Sequence, residues 1–362
     1  MKIGIIILHC DIRKSSRYVM ELSNRFVKKH EVHIFTNEWN AIFDKNIQIH
    51  RIPTIKVTHY PRELLFTLLS SLRLSIEKFD VTLAQPTRYF HPDIAEMQFV
   101  YKAWGDYRRK NNMYVNKMNL FVYWMEKRNL RKAKRVIAIS KSVKNEVIKY
   151  HGIPEKKIDV IYSGVNADQF KPNKKYREEI RKKLKISPKE NLIIFVGNPF
   201  ERKGLKYLIE AMRNIDAKLL IMGRDPTQPE YEKLVRKLDL DKKVMFGGFT
   251  KEIEKYFAAA DAFVFPTLYE PFGLVITEAM ASGLPVVTSR IAGAGELIRE
   301  GKDGFLLNNP KDPIEIAEKA KKALKKKRTF GENARERAKE FTWDKVSKRY
   351  LNVLEEVGKH KI

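Results

Sequence analysis

Two glutamates eight residues apart, Glu270 and Glu278, bracket the run Glu270-Pro-Phe-Gly-Leu-Val-Ile-Thr-Glu278, and Gly283 comes shortly after. Gly273 has the character of a helix start and Gly283 that of a helix stop. A glycine at a helix N-terminus leaves backbone N–H groups uncovered, which suits a phosphate. Between them Leu274, Val275, Ile276, Ala279, Met280 and Ala281 make the helix apolar on nearly every side, so it is expected to be buried. Glu278 is then a buried or cleft-lining carboxylate that needs a partner. Ribose or sugar hydroxyls would serve; a basic neighbour in a plain salt bridge would serve as well. A second constellation, Gly197-Asn-Pro-Phe-Glu-Arg202-Lys203-Gly204, comes directly after the apolar run at 192–196. Arg offers a planar fork and Lys a compact charge, a pairing suited to a diphosphate. In a chain with 71 Lys and Arg the same pair also reads as solvated surface. Its place at the carboxyl end of an expected strand favours a ligand, because ligands gather there in open α/β sheets. Neither G-x-G-x-x-G nor G-x-x-x-x-G-K-[ST] occurs, which removes the main support for nicotinamide or P-loop readings.

These loops need strands and helices to hold them. KIGIIIL at 2–8, EVHIF at 31–35, VTLA at 81–84 and RVIAI at 135–139 read as buried strands in the first half. Residues 18–29 read as a helix with Leu22, Phe26 and Val27 on one face, and Ser140 as the N-cap of another. From 192 the pattern restarts, with strands expected at 192–196, 218–222, 244–246, 262–265 and 286–288. Alternation of this kind predicts parallel sheets joined by right-handed crossovers, and the restart predicts two of them. The segment 163–176, SGVNADQFKPNKKY, lacks periodicity and is the expected linker.

Composition sets the outer limits. The chain has 362 residues, 43% hydrophobic and 11% aromatic, enough to fill two cores. Cys10 is its single cysteine, so an internal disulfide framework and a cysteine metal cluster are excluded. The apolar run at 2–8 is too short for a signal peptide or a span, and no later stretch reaches about 18 uncharged apolar residues. A cytoplasmic protein, peripheral at the inner face of the membrane if membrane-bound at all, is expected. The net charge of +27 calls for anionic partners and is shared by both halves.

Together GNPFERKG at 197–204, MGRD at 222–225, MFGGFT at 245–250, AAADAFVFPTLYEPFGLVITEAMASGLPVV at 258–287 and GKDGFLL at 301–307 carry a resemblance. The chain resembles the family 4 retaining glycosyltransferases of the GT-B fold. That resemblance implies an α/β architecture of two doubly wound Rossmann-like parallel-sheet domains facing a cleft. Residues 1–168 would form the acceptor-side domain and 169–343 the nucleotide-sugar donor domain, with 344–362 a helix crossing back. It implies that Arg202 and Lys203 neutralise the donor diphosphate, with Gly197 in the same donor-binding loop, and that Glu278 binds the ribose. Glu270 would contact the transferred sugar, with Phe272, Gly273 and Leu274 presenting backbone N–H groups. No metal or other cofactor would be needed beyond the nucleotide-diphosphate sugar itself.

The N-terminal half departs from the family pattern. A glycine pair is usual after the first strand, but Asp11-Ile-Arg-Lys-Ser-Ser-Arg17 stands there, with Arg13, Lys14 or Arg17 as substitutes. Asn198 replaces an arginine that is common after the phosphate-loop glycine. The slot that carries an aspartate in some relatives is Gln98. His91 and Asp93 are alternative catalytic candidates, although such residues beside a proline also serve turns. Between Lys102 and Lys149 stand 14 basic residues against three acidic ones, and Tyr101, Trp104, Tyr107, Tyr114, Phe121, Tyr123 and Trp124 lie within 101–135. Three readings stay open: an amphipathic helix covering the sheet, an anionic membrane or lipid-linked acceptor surface, and, least favoured, nucleic acid. For the whole chain the expected reaction is transfer of a sugar to an acceptor hydroxyl of a cell-envelope glycan or lipid-linked acceptor. Another GT-B enzyme (an epimerase or phosphorylase) and a non-catalytic nucleotide-sugar-binding relative are the alternatives.

Overall fold

The computed structural model describes residues 1–10, 16–54, 59–111, 113 and 119–359. Arg13, Lys14 and Tyr114 lie outside the described residues. The chain divides into two compact units, Met1–Ser163 with Trp343–Ile362, and Gly164–Thr342.

In the first unit the chain runs β1 (Lys2–Ile6), β2 (His9–Cys10), α1 (Arg17–Phe26), β3 (Glu31–Thr36), β4 (Glu38–Trp39), β5 (Gln48–Arg51), α2 (His59–Ile76), β6 (Val81–Ala84), β7 (Ile94–Met97), α3 (Tyr101–Lys110), α4 (Asn119–Lys132), β8 (Arg135–Ala138), α5 (Lys141–His151) and β9 (Ile158–Val160). Seven of the strands form one sheet in the order β5-β3-β1-β6-β7-β8-β9, and β2 pairs with β4 apart from it. Neighbours in the sheet are parallel throughout. A parallel sheet is covered on both faces, so its strands read as unbroken apolar runs. Ile3, Ile5 and Ile6 in β1 and Val136, Ile137 and Ala138 in β8 are fully buried accordingly. Ser140 caps α5 by accepting from the Val143 N–H.

The second unit runs α6 (Lys174–Lys183), β10 (Leu192–Val196), α7 (Leu205–Ala211), β11 (Lys218–Met222), α8 (Gln228–Lys237), β12 (Val244–Gly248), α9 (Ile253–Ala259), β13 (Ala262–Phe265), α10 (Leu274–Ala281), β14 (Val286–Ser289), β15 (Gly304–Leu307), α11 (Pro313–Lys325) and α12 (Lys327–Lys339). Its six strands are parallel in the order β12-β11-β10-β13-β14-β15. This is the Rossmann order, in which the chain turns back between the first and fourth strands and opens a crevice at their carboxyl ends. Here those strands are β10 and β13.

A last helix, α13 (Trp343–Lys359), belongs to the first unit. Its Trp343, Val346, Tyr350, Val353, Leu354 and Val357 join the core built by β1, β3 and α1. Arg25 of α1 binds Asp344 at its start. The last three residues of the expected linker, 174–176, instead form the first turn of α6, with Asn173 accepting from the Tyr176 N–H as its cap.

Candidate active site

Two loops line the crevice of the second unit. The loop after β10 holds Gly197 to Gly204, and the loop after β13 holds Thr267 to Gly273. The backbone sews them together: the Leu268 N–H donates to the Arg202 carbonyl at 2.8 Å, and the Thr267 hydroxyl bonds the same oxygen at 3.2 Å. Gly204 is required at this seam. It takes a left-handed backbone, and a Cβ there would collide with the Pro266 carbonyl. Next door, the Gly197 N–H bonds the Met222 carbonyl and the Phe200 N–H bonds the Asp225 carboxylate at 2.7 Å. The ends of β10, β11 and β13 therefore form one rigid floor.

On that floor three charged side chains meet. Lys203, buried in spite of its charge, contacts the Glu270 carboxylate and lies 5.0 Å from the centre of the Phe265 ring. Arg202 sits 3.7 Å from the same carboxylate and donates to the Tyr269 carbonyl at 2.7 Å. Burial, with Arg202 alongside, pulls the Lys203 ammonium below its ordinary range, against the pull of Glu270. Two cations thus share one carboxylate in a site largely closed to water.

Gly273 opens α10 in a left-handed conformation and, as its N-cap, brings no capping side chain of its own. Its first N–H groups and the positive end of its dipole are what an anion would use. Ile276, Thr277, Ala279, Met280 and Ala281 are buried, as the apolar run predicts. Leu274, Val275 and Glu278 are only partly buried and fall on one face, so Glu278 lies on the open side of α10. The Gly293 N–H holds the Glu270 carbonyl and the Ala294 N–H the Phe272 carbonyl, fixing the loop that leads into the helix. Arg202, Lys203, Gly197, Glu270, Phe272, Gly273, Leu274 and Glu278 thus belong to neighbouring loops and one helix of a single unit.

His91 and Asp93 do not join them. Both lie in the first unit, before β7, at the amino side of that strand. The Asp93 carboxylate accepts from the Thr82 N–H at 2.9 Å and from the Thr82 hydroxyl at 2.8 Å, locking β6 to the start of β7. His91 is exposed. Ligands of parallel sheets collect at the opposite, carboxyl ends. Gln98, just past the carboxyl end of β7, instead donates to Glu96, a fully buried carboxyl that Tyr18 and Tyr350 also bond. Asp225 is a residue that sequence reasoning passed over; the signal for it was the MGRD run at the end of β11. Burial works against its ionisation, yet hydrogen bonds from Thr227 and from the Phe200 N–H keep it below the usual carboxylate range.

Comparison with known families decides the identity. The model described as "Glycosyl transferases group 1" matches residues 176–341, and the model "Glycosyltransferase Family 4" matches residues 15–169. The chain belongs to the family 4 glycosyltransferases. A relative from Methanocaldococcus jannaschii, described as an uncharacterized glycosyltransferase, is 36% identical over 64% of this chain and 62% of its own length. N-acetyl-alpha-D-glucosaminyl L-malate synthase of Bacillus anthracis is 31% identical over 61% and 59%. The chain thus spans about three fifths of the length of these curated relatives. The lipopolysaccharide glucosyltransferase WaaG of Escherichia coli is 24% identical over 84% and 85%. A WaaG crystal structure superposes with a TM-score of 0.79 over 97% of this chain and 99% of that one, at 20% identity, which places the fold in the GT-B class.

Proposed function

We propose that the protein is a retaining glycosyltransferase that moves a sugar from a nucleoside-diphosphate sugar to an acceptor hydroxyl. The observation that carries the reading is the meeting of Lys203, Arg202 and Glu270 beside the glycine that starts α10, at the turning point of the second sheet. An entering diphosphate competes with Glu270 for the two cations and takes the N–H groups of Gly273 and Leu274. Glu270 is then released toward the hydroxyls of the sugar, and Glu278, on the open face of α10, receives the ribose. Because two cations and a helix terminus supply the positive charge, the reaction needs no metal. The leaving phosphate takes the proton of the attacking hydroxyl on the same face, so the chemistry rests on stabilising charge rather than on a separate base. A structural neighbour, HepE of Anabaena, is described in complex with UDP-glucose, which supports a donor of this class.

The acceptor side belongs to the first unit. On α4, Leu120 is 72% exposed and Trp124 55%, and Phe121 lies beside them, with basic residues along the same helix. An apolar face among cations suits the headgroup region of an anionic membrane, and we propose a lipid-linked or envelope acceptor there. No helix among the described residues is long and apolar enough to cross a membrane. The deciding experiment is a thermal-shift screen with UDP, GDP, ADP and their sugars in chelator. A ligand at about 100 times its dissociation constant adds roughly 2.7 kcal/mol of stability. One nucleotide series that shifts the parent and not Lys203→Ala supports the donor site; no shift with any of them refutes it.

A further inference from the structure

The first unit holds a second cluster of chemically capable groups, at the end of its sheet where β3, β5 and the segment after α2 meet. His33 of β3 is buried, and its Nδ1 lies 2.8 Å from Nε2 of His50 on β5. A carboxylate oxygen of Glu77 lies 3.9 Å from the same Nδ1. The three ligand atoms are all within 4.8 Å of one another. On its far side His33 uses Nε2 to bond Glu31 at 2.8 Å.

The surroundings hold these rings in place. The His33 and His50 rings are nearly parallel, 3° apart, with centroids at 5.0 Å. Phe35 stacks on His50 at 4.6 Å, and Phe79 meets His33 edge-on at 5.1 Å. Gly4 of β1 makes room for this ring: a Cβ there would press on Phe79 at 3.2 Å. Two imidazoles and a carboxylate, fixed by aromatic walls, are the donor set of borderline transition metals. The carboxylate on the remote nitrogen of His33 is the usual companion of a metal-bound imidazole, since it fixes the tautomer that leaves Nδ1 as the ligand.

We propose that His33 Nδ1, His50 Nε2 and Glu77 bind a divalent transition metal of the imidazole-preferring kind, Zn²⁺ foremost, with Glu31 orienting His33. The ion takes the place of the proton shared by the two rings. With Zn–N bonds of about 2.0–2.1 Å in tetrahedral geometry, the nitrogens part to roughly 3.3 Å, a small rotation of the less buried His50. A fourth position stays open to water. The opposing charges are Lys2, whose ammonium lies 2.6 Å from Glu77 and 3.8 Å from Glu31, and Arg73, 3.9 Å from Glu77. Lys2 therefore competes with the ion for Glu77, and binding turns it out toward solvent.

The test is a calorimetric titration of the full chain, stripped with chelator and dialysed, with zinc chloride, and metal analysis after dialysis. The expected result is one tightly held Zn²⁺ per chain. His50→Gln and Glu77→Gln weaken it by about 100-fold or more, Glu31→Gln by about 10-fold, and Lys2→Gln tightens it. Absence of saturable uptake, or uptake indifferent to His50→Gln, overturns the assignment. If the ligand variants do not fold, the Lys2→Gln titration decides, with tighter binding supporting the site and unchanged binding overturning it.

Discussion

Lys203 is a cation held out of water against one carboxylate, and its removal tests the proposed donor site. Under that reading Lys203→Ala deletes a charge-assisted contact to the diphosphate, worth about 1.5–3 kcal/mol, so the donor dissociation constant is expected to rise by roughly 10- to 100-fold in a calorimetric titration. Lys203→Arg keeps the charge and recovers part of that loss. Glu96 makes the second prediction at this scale. Burial pushes its carboxyl up to about 7, against hydrogen bonds from Tyr18, Gln98 and Tyr350. A carboxyl whose folded pKa is raised favours the folded state at low pH and loses that contribution as pH rises from about 4.3 to 7. Glu96→Gln is therefore expected to be more stable than the parent at pH 8 by about 3 kcal/mol, with the difference vanishing near pH 4, as read by denaturant melts. The Arg202-Lys203 pair and the Glu270 loop were legible in the sequence because each is a short local run. Their sharing of one carboxylate was not, because 67 residues separate the partners. Asp93's part in joining two strands was not legible either, because Thr82, whose N–H and hydroxyl it accepts from, lies 11 residues earlier on the neighbouring strand.

Strand β13 is positioned from below by Asp261. This buried carboxylate accepts from Arg177 at 2.8 Å, Arg181 at 3.2 Å, Lys327 at 3.0 Å and the Leu192 N–H at 2.8 Å, so it ties α6, β10 and α12 to the strand that carries the Glu270 loop. Burial opposes its charge, but Arg177 foremost, with these hydrogen bonds, holds its pKa below the usual carboxylate range. Its contribution is thus complete above about pH 4 and is lost as pH falls through the depressed folded value. Asp261→Asn leaves the buried Arg181 and the partly buried Arg177 without their counter-charge and is expected to lower stability at pH 7 by about 3–5 kcal/mol in urea melts. At this scale the sequence was readable where strands are purely apolar, as in β1, β10 and β13. It was silent on β7, where Glu96 interrupts the run, and on β5, whose QIHR is half exposed at the sheet edge. The long α2 was also missed.

For the molecule as a whole, the second unit is an insertion into the first. The chain leaves the first unit at Ser163 and returns at Trp343, and the two ends of the inserted unit lie side by side: Val165 pairs with Thr342, and its N–H bonds the Phe341 carbonyl at 2.9 Å. A chain ending at Thr342 keeps all of the second unit but strips Trp343, Tyr350 and Leu354 from the first core. It is expected to retain nucleotide binding while the first unit melts separately and earlier, a split visible by calorimetry. The residues 164–342 expressed alone are expected to fold. This arrangement has a consequence for synthesis on the ribosome. The order of manufacture and the order of completion differ: the unit begun first cannot close until α13, made after the whole second unit, has left the exit tunnel. Through the translation of 179 intervening residues its unfinished apolar groove stays open to other chains, so chaperone dependence should track the first unit and not the second.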